Sequence, residues 1–349
     1  MNMITDNMLC RVQPLLRAVV AVLALSAVWH AAGQTVVVKE CGQRRFQKSV
    51  PAGDYSGITW LGGDRYGVVS DKGDRDGVWI MRIPTDSVTG EITSVVAERF
   101  IAADMSGGDC EGVAFTGNGF MVASEAASQI IVLDTAGQMT AKVTMSPERL
   151  WAGTANGGLE SLAYDAEKHL VWTANEAPLP ADIAAGADDV VRLVALDDSL
   201  RLVGHYAYRL DKKRKSSEGA VYAWGVSEIV AAGDGRLLVM ERDFYVPRLK
   251  VGASVRCRLY EVCPDDGRRI SSDKAITVGF GPLPKRLVWE NKTRLGLFVR
   301  SLANYEGACL GPRLADGSRV LVMVSDSQGQ YAGVLRDWFK TIVVKTGED

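Results

Sequence analysis

The sequence predicts an all-β protein, a β-propeller of six blades with four antiparallel strands in each blade. One observation is the stretch DCEGVAFTGNGFMVASEA, residues 109–126, in which Gly-Asn-Gly joins two short apolar runs. This is the pattern of a β-hairpin. A second observation is that related stretches recur at residues 56–73, 160–177, 227–243 and 306–327. Repeated hairpins that resemble one another indicate sheets arranged around an axis.

The number of blades follows from the spacing of these copies. Further strand-like runs lie between them, at residues 78–83, 130–133, 191–196, 200–210 and 255–262. Two extra strands per hairpin complete a four-stranded sheet. About 300 residues, at about 45–50 per blade, predict six blades, of which one is degenerate. Segment 216–224 is a candidate strand of that blade, and residues 290–302 are the best candidate helix. A pair of β-sandwiches is the main alternative, but it would not explain the resemblance between the hairpins.

The N-terminal segment has the pattern of a signal peptide. Arg11 and Arg17 precede an apolar run at residues 18–28, and small residues follow at 31–33. The run is too short for a comfortable membrane span. We therefore predict a signal peptide at residues 1–33 and one propeller domain at 34–349. The protein is expected to be exported, periplasmic or extracellular, without a membrane anchor.

The net charge limits the classes of binding partner that the sequence predicts. The chain has 349 residues and a formal net charge of −2, so its overall charge favours neither nucleic acid nor an anionic membrane surface. The basic run at residues 212–215 is interpreted as a solvated loop, with a phosphate or polyanion patch as the alternative. Five cysteines follow the predicted signal peptide, and this odd number leaves at least one thiol free. The sequence does not indicate an oligomeric state.

Acidic residues stand at the two ends of nearly every hairpin copy. In a propeller, the start of the first strand and the end of the second strand lie at the same rim of the central channel. Eight carboxylates are therefore expected at one channel mouth. The predicted neighbours are Ser56 with Asp71, Glu111 with Glu125, Glu160 with Glu176, Ser227 with Glu241, and Glu306 with Asp326.

A bound cation would relieve the mutual repulsion of these carboxylates. Oxygen ligands without cysteine or histidine favour a hard cation, with Ca²⁺ expected first and Mg²⁺ second. The predicted metal ligands are Glu111, Glu160, Glu306, Asp71, Glu125 and Asp326, of which the first three are the strongest candidates. Asn156 and Asn304 precede two of these acids and offer amide oxygens. The alternative is that the carboxylates accept backbone hydrogen bonds and only connect adjacent blades.

Several of the copies resemble a known family. The stretches GVSEIVAAGDGRLLVMERDF, NGGLESLAYD with VWTANEAPL, and NYEGACLGP with LVMVSDS resemble the secreted phytase-like family, described as having esterase-like activity. The resemblance covers most of residues 55–327. It implies a β-propeller that hydrolyses esters or phosphoesters. The Glu-Gly pairs also resemble, more distantly, those of calcium-dependent propeller lactonases.

The residues favour metal-assisted hydrolysis over a serine esterase. No G-x-S-x-G motif occurs, and His169 and His205 fall in a predicted turn and an outer strand, so neither is a good base. A cation would instead polarise the substrate while an unliganded carboxylate deprotonates water. The candidate catalytic residues are Glu160, Glu176 and Glu241, and the candidate substrate-binding residues are Lys72 and Arg242. The alternative function is a non-catalytic propeller that binds a ligand, or acts as a scaffold, through the same mouth.

Overall fold

The computed structural model describes residues 34–71, 76–104, 109–145, 158–214, 217–271, 273–296, 299 and 301–347. The predicted signal peptide lies outside these ranges and stays a prediction. The described residues form twenty-one strands and one short helix, α1 (Pro180–Ala184). No helix within these ranges has the length and apolar character needed to cross a bilayer.

The strands form five antiparallel sheets, which we number as blades in the chain order of their first strands. Blade 1 contains β2 (Tyr55–Gly62), β3 (Arg65–Ser70), β4 (Gly77–Arg82) and β5 (Val96–Ala102). Blade 2 contains β6 (Cys110–Phe115), β7 (Gly119–Ser124), β8 (Gln129–Asp134) and β9 (Met139–Thr144). Blade 3 contains β10 (Leu159–Asp165), β11 (Leu170–Asn175), β12 (Val190–Asp197), β13 (Leu202–Arg209) and β17 (Arg269–Ile270).

The last two blades contain the longest strands and both ends of the described chain. Blade 4 contains β14 (Val221–Gly233), β15 (Arg236–Val246), β16 (Ser254–Val262) and β18 (Lys285–Arg294). Blade 5 contains β19 (Tyr305–Arg313), β20 (Arg319–Ser325), β21 (Phe339–Lys345) and β1 (Val36–Glu40). Strand β1 pairs with β21, so the first and last strands of the described chain share one sheet.

The blades are arranged in a closed circle. Strand β2 contacts β6, β6 contacts β10, β10 contacts β14, β14 contacts β19, and β19 returns to β2. A separate apolar core lies between each blade and the next, and one of these cores joins blade 5 to blade 1. A circle of sheets whose apolar faces are covered only by their neighbours is the architecture of a β-propeller.

The described residues form five blades, so the prediction of six is corrected. The residues assigned to a sixth blade lengthen blade 4 and its connections instead. Residues 221–224 of the segment predicted for that blade form the start of β14, which has 13 residues. The connection between β16 and β18 carries β17 to the edge of blade 3. The predicted helix at 290–302 is wrong at its start, because β18 continues to Arg294.

The first strands approach one another closely around the axis. A Cβ atom on Gly112 would lie 2.7 Å from the backbone nitrogen of Leu162 in blade 3, and one on Gly307 would lie 3.0 Å from Gly57. No side chain fits at such distances, so these glycines allow backbone-to-backbone packing. The five cysteines of the described chain are all free thiols.

Candidate functional site

A one-residue β-bulge interrupts the pairing of the first two strands of every blade at the same place. The register shifts at Ser56, Glu111, Glu160, Ser227 and Glu306. These are the five positions that the sequence places at the starts of the first strands. A bulge turns the extra residue out of the regular alternation, and all five side chains are buried. The bulges therefore give the five residues equivalent positions in their blades.

The ends of the second strands lie beside the bulges in four blades. The backbone N–H groups of Asp71, Glu125, Glu176 and Asp326 donate to the carbonyl oxygens of Asp54, Asp109, Gly158 and Asn304, at 2.9–3.0 Å. Each of these carbonyls belongs to the residue two positions before the bulge. The structure thus brings the two ends of each hairpin together, as the spacing predicts, and creates one shared channel mouth.

Blade 4 differs from the prediction by one residue. Val226 pairs with Glu241, so Arg242 occupies the place that a carboxylate occupies in the other blades. The cause is a second bulge, between Ala231 and Gly233, which adds a residue to the hairpin.

The predicted placement of Glu241 at the mouth is therefore wrong. Its carboxylate accepts hydrogen bonds from the Tyr208 hydroxyl at 2.7 Å and from the backbone N–H of Asp211 at 3.0 Å, and it pairs with Lys285. These partners hold Glu241 between blades 3 and 4, away from the mouth, so its position does not support the catalytic role predicted from the sequence.

Arg242 is the buried cation of the mouth. Its guanidinium forms ion pairs with Glu176 of blade 3 and Glu306 of blade 5. Burial by itself lowers the pKa of Arg242, but the carboxylates of Glu176 and Glu160 raise it above its ordinary value. Glu306 also accepts a hydrogen bond from Nδ2 of Asn304 at 2.9 Å. Glu306 consequently lies on the guanidinium side of the mouth.

A compact carboxylate cluster forms at the border of blades 1 and 2. Oxygens of Asp71, Asp109 and Glu111 lie within 4.8 Å of one another. Asp109 is absent from the ligands predicted from the sequence. The sequence feature that could have identified Asp109 is its position two residues before Glu111. The other copies have Asp54, Gly158, Gly225 and Asn304 at this position.

The electrostatics of the mouth are strongly unbalanced. Among the described residues it holds one guanidinium, that of Arg242, against the carboxylates of Asp71, Asp109, Glu111, Glu125, Glu160, Glu176, Glu306 and Asp326. Burial, followed by the charges of Asp71 and Glu125, raises the pKa of Glu111 well above its usual value.

The pKa values of the neighbouring acids are raised for the same reasons. Burial and the charges of Glu111 and Glu176 raise the pKa of Glu160, although Arg242 opposes them. The pKa of Asp326 is raised to about 7, mainly by burial; the hydrogen bond from the backbone N–H of Gln328 opposes this rise, and the charge of Asp71 adds to it. The charges of neighbouring carboxylates therefore raise the pKa values of Glu111, Glu160 and Asp326 alike.

The donor atoms of the mouth fit a hard cation. Carboxylate oxygens at this separation are the ligands that calcium takes in proteins. Two further oxygens, Oδ1 of Asn304 and Oγ of Ser227, are buried and accept no hydrogen bond from a described residue. Buried polar atoms normally have a partner, so these oxygens point to a ligand at the mouth. Lys72 and Asn156, also predicted for the site, lie outside the described residues.

Below the mouth, Glu228 lies across the channel. It follows the bulge of blade 4, where the other blades have Gly57, Gly112, Ser161 and Gly307. Its carboxylate accepts backbone hydrogen bonds from Ile229 at 2.9 Å and from Ala308 of blade 5 at 3.3 Å. Burial raises its pKa well above the usual value. Sequence reasoning missed this residue, and the signal was a carboxylate at a position of small residues.

A cavity of about 280 Å³ occupies the other end of the channel. Its walls come from all five blades and include Ile58, Val113, Leu162, Ile229 and Ala308. Asp165, Glu167 and Arg319 also line this cavity, but the carboxylates of the mouth form the more closely packed group of ionisable side chains. Because hydrolysis needs groups that bind charge and move protons, the mouth is the candidate active site.

A comparison with known proteins identifies the family of the chain. The profile of the Phytase-like family, described as "Esterase-like activity of phytase", matches residues 50–328. No curated protein matches the chain.

The chain is also similar to three solved structures. Streptogramin B lyase has 12% identity over 87% of this chain and 98% of that chain, with a TM-score of 0.38. Glutaminyl cyclase of Myxococcus xanthus has 10% identity over 89% and 95%, with 0.37. The WD40 β-propeller domain of Doa1 has 8% identity over 89% and 97%, with 0.34. These TM-scores are too low to carry an argument, so the fold rests on the sheets described above. The family profile matches well over half of the chain, and the protein therefore belongs to the Phytase-like family.

Proposed function

We propose that the channel mouth is a calcium-dependent hydrolytic site for small esters. The observation that supports it is the meeting, at one mouth, of a carboxylate cluster, a separate buried carboxylate and a buried guanidinium. The cluster is Asp71, Asp109 and Glu111. Glu160 lies within electrostatic reach of both Glu111 and Arg242. A cation site, a base and a group that binds an oxyanion are the parts that metal-assisted hydrolysis requires.

Each residue has a distinct role in this proposal. Asp71, Asp109 and Glu111 would hold the cation, with Glu125 and Asp326 beside them. Bound calcium would supply positive charge that polarises the oxygen of the scissile carbonyl or phosphoryl group. Arg242 is held by Glu176 and Glu306, and its position suits the negative charge that develops in the transition state.

Glu160 would act as the general base. It takes a proton from water as the water oxygen attacks the ester carbon or phosphorus. The bond to the leaving alkoxide then breaks, and Glu160 returns the proton to that oxygen. Burial and the charges of Glu111 and Glu176 raise the pKa of Glu160 toward neutral pH. A base accepts a proton more readily when its pKa lies near the working pH.

The charge of the mouth favours carboxylic esters over phosphomonoesters as substrates. The carboxylates of the mouth would repel a doubly charged phosphate, and among the described residues of the mouth only Arg242 would attract it. An uncharged carboxylic ester meets no such repulsion. We also infer export of the protein, from the pattern of residues 1–33.

Turnover of a substrate panel tests the proposal. Aryl esters, lactones and phosphomonoesters are offered with calcium and then with a chelator. We expect ester hydrolysis that the chelator abolishes and that Glu160→Gln lowers by at least about 100-fold, since general-base catalysis contributes that much. Glu91→Gln is the matched control, because its side chain is 60% exposed on an outer turn of blade 1.

Three outcomes would contradict the proposal. If the Glu160→Gln variant keeps full activity, the base is a different group. If no substrate is turned over while calcium still raises the melting temperature, the mouth is the non-catalytic binding site of the alternative function. If calcium leaves the melting temperature unchanged, the carboxylates only connect the blades.

A further inference from the structure

The second strand of blade 4 extends beyond the mouth, unlike the second strands of the other blades among the described residues. The second strands of the others end at Ser70, Ser124, Asn175 and Ser325, level with the bulges. Strand β15 continues past Arg242 for residues 243–246. At a rise of about 3.3 Å per residue, this adds about 13 Å before the turn. We call residues 221–225, 243–257 and 290–295 the projecting lobe.

The tip of the projecting lobe carries exposed aliphatic side chains. Leu249 and Val251 lie in the turn between β15 and β16 and are 83% and 86% exposed, the two highest values among the exposed large apolar residues of the described chain. Val221, at the start of β14, is also exposed. Single exposed aliphatic residues are ordinary, but adjacent ones on a projecting turn indicate a contact surface.

The projecting lobe is also basic, although the whole chain has a net charge of −2. It contains five basic residues, Arg248, Lys250, Arg256, Lys292 and Arg294, against two acidic residues, Asp243 and Glu290. Arg256 pairs with Glu290, and Asp243 lies 3.8 Å from Arg214. The overall charge of the chain therefore hides a local positive patch around the exposed tip.

We propose that the tip of the projecting lobe binds the surface of an anionic lipid bilayer. The two aliphatic side chains would enter the interface, and Arg248, Lys250, Lys292 and Arg294 would meet the negative head groups. Each basic residue near such a surface contributes attraction, and apolar side chains add burial at the acyl boundary. This inference does not depend on hydrolysis at the mouth.

The shape of the tip distinguishes a bilayer from a protein partner. Leu249 and Val251 stand on a convex turn, held by hydrogen bonds from Lys250 N to Pro247 O at 2.7 Å and from Ala253 N to Lys250 O at 3.1 Å. A protein partner would need a matching hollow, whereas a lipid interface adapts to a convex tip. The ammonium group of Lys250 also lies 5.5 Å from the ring of Tyr331, in the loop that follows Asp326. Binding through the tip would thus place the mouth near the membrane.

Sedimentation with lipid vesicles tests this inference. The probes are vesicles of phosphatidylcholine alone and of phosphatidylcholine with phosphatidylglycerol. We expect the mature protein to bind the mixed vesicles, and binding to weaken at high salt. The double variant Leu249→Ser and Val251→Ser should lower the partition coefficient by about tenfold, from the loss of two buried aliphatic groups. Val278→Ser is the matched control, because Val278 is 76% exposed on the connection between β16 and β18.

Several outcomes would overturn the inference. Equal binding to both kinds of vesicle would remove the role of the basic residues, and absent binding would refute the whole inference. Binding that Leu249→Ser and Val251→Ser leave unchanged would exclude the tip. A dimer in solution that the same variants dissociate would identify a second copy of the chain as the partner instead. Unchanged melting temperatures of the variants would show that they fold.

Discussion

Two buried arginines of this propeller, Arg192 in blade 3 and Arg242 at the mouth, lie in opposite electrostatic surroundings. Arg192 makes two hydrogen bonds to Asp182 of α1, at 2.7 and 2.8 Å, and donates to the carbonyl oxygens of Ser271 and Lys274. One cation meets one anion there, and the main chain satisfies the remaining donors. Arg242 is instead shared by two carboxylates that belong to the larger group of carboxylates at the mouth.

This difference separates a structural ion pair from a candidate site. Buried charges are stable when they are paired and when their hydrogen-bonding groups are satisfied. The Arg192 network meets both conditions, so it needs no ligand. The mouth meets neither, since its carboxylates exceed its cations and the buried oxygens of Asn304 and Ser227 accept no hydrogen bond from described residues. The imbalance, more than the number of acids, is what indicates a bound cation.

The largest effect is expected from breaking the balanced pair. Arg192→Met leaves Asp182 buried without its cation, and the free energy of unfolding should fall by about 3–5 kcal/mol. Calcium should restore none of this loss, because the pair lies away from the mouth. Denaturant titration with calcium and with chelator measures both quantities.

Arg201→Met is the control for that substitution. The side chain of Arg201 lies in the same blade, is 80% exposed and pairs with Asp197, so its loss should cost less than about 1 kcal/mol. A loss below about 1 kcal/mol for Arg192→Met as well would show that the balanced pair contributes no more than a surface pair.

The balanced network also predicts a dependence of stability on pH. His205 lies beside Arg192, with 3.3 Å between Nη1 and Nδ1. Burial, and then the charge of Arg192, lower the pKa of His205 to about 4, although Asp182 opposes them. In the unfolded chain its pKa is about 6.5, so the unfolded state binds more protons between these values. Stability should fall by about 3 kcal/mol as pH drops from about 6.5 to about 4.

Denaturant titrations across this pH range test the prediction, and the other histidine of the described chain serves as the control. His205→Gln should remove most of the pH dependence in that window. His169→Gln should leave it intact, because His169 is 69% exposed beside Asp198. An unchanged pH profile in His205→Gln would mean that other groups cause the effect.

Much of the architecture could be predicted from the sequence because each blade repeats the same local chemistry. Apolar runs joined by turns such as Gly117 to Gly119 identified the hairpins, and the recurring acids identified one rim. The number of blades could not be predicted in the same way, because dividing the chain length by an average blade length takes no account of strands as long as β14. No pattern in residues 263–284 indicates that β17 pairs with blade 3 instead of belonging to a separate sheet.

The prediction of the site succeeded where the acids at the two ends of a hairpin lie side by side, and it failed in blade 4, where an additional bulge shifts the pairing. Gly233-Asp234-Gly235 aligns without a gap on Gly117-Asn118-Gly119, which concealed the second bulge of blade 4 and exchanged Glu241 for Arg242. A bulge depends on which residues pair across the hairpin, so it has no signature in one strand alone. Asp109 was missed for a related reason, since only the bulge at Glu111 brings it beside Asp71.

The smallest expected effect is a gain in stability, whereas Arg192→Met is expected to lower stability. Glu111→Gln removes one of the repelling carboxylates, so the chelated protein should gain about 1 kcal/mol of stability, as is common when a strained functional group is replaced. The same variant should lose most of the stabilisation that calcium gives the parent protein, because a ligand has gone. Melting curves over a calcium series measure both effects. Glu218→Gln, an exposed acid outside the mouth, should change neither. If Glu111→Gln instead destabilises the chelated protein, its carboxylate is a balanced structural partner like Asp182, and the distinction between the two arginines fails.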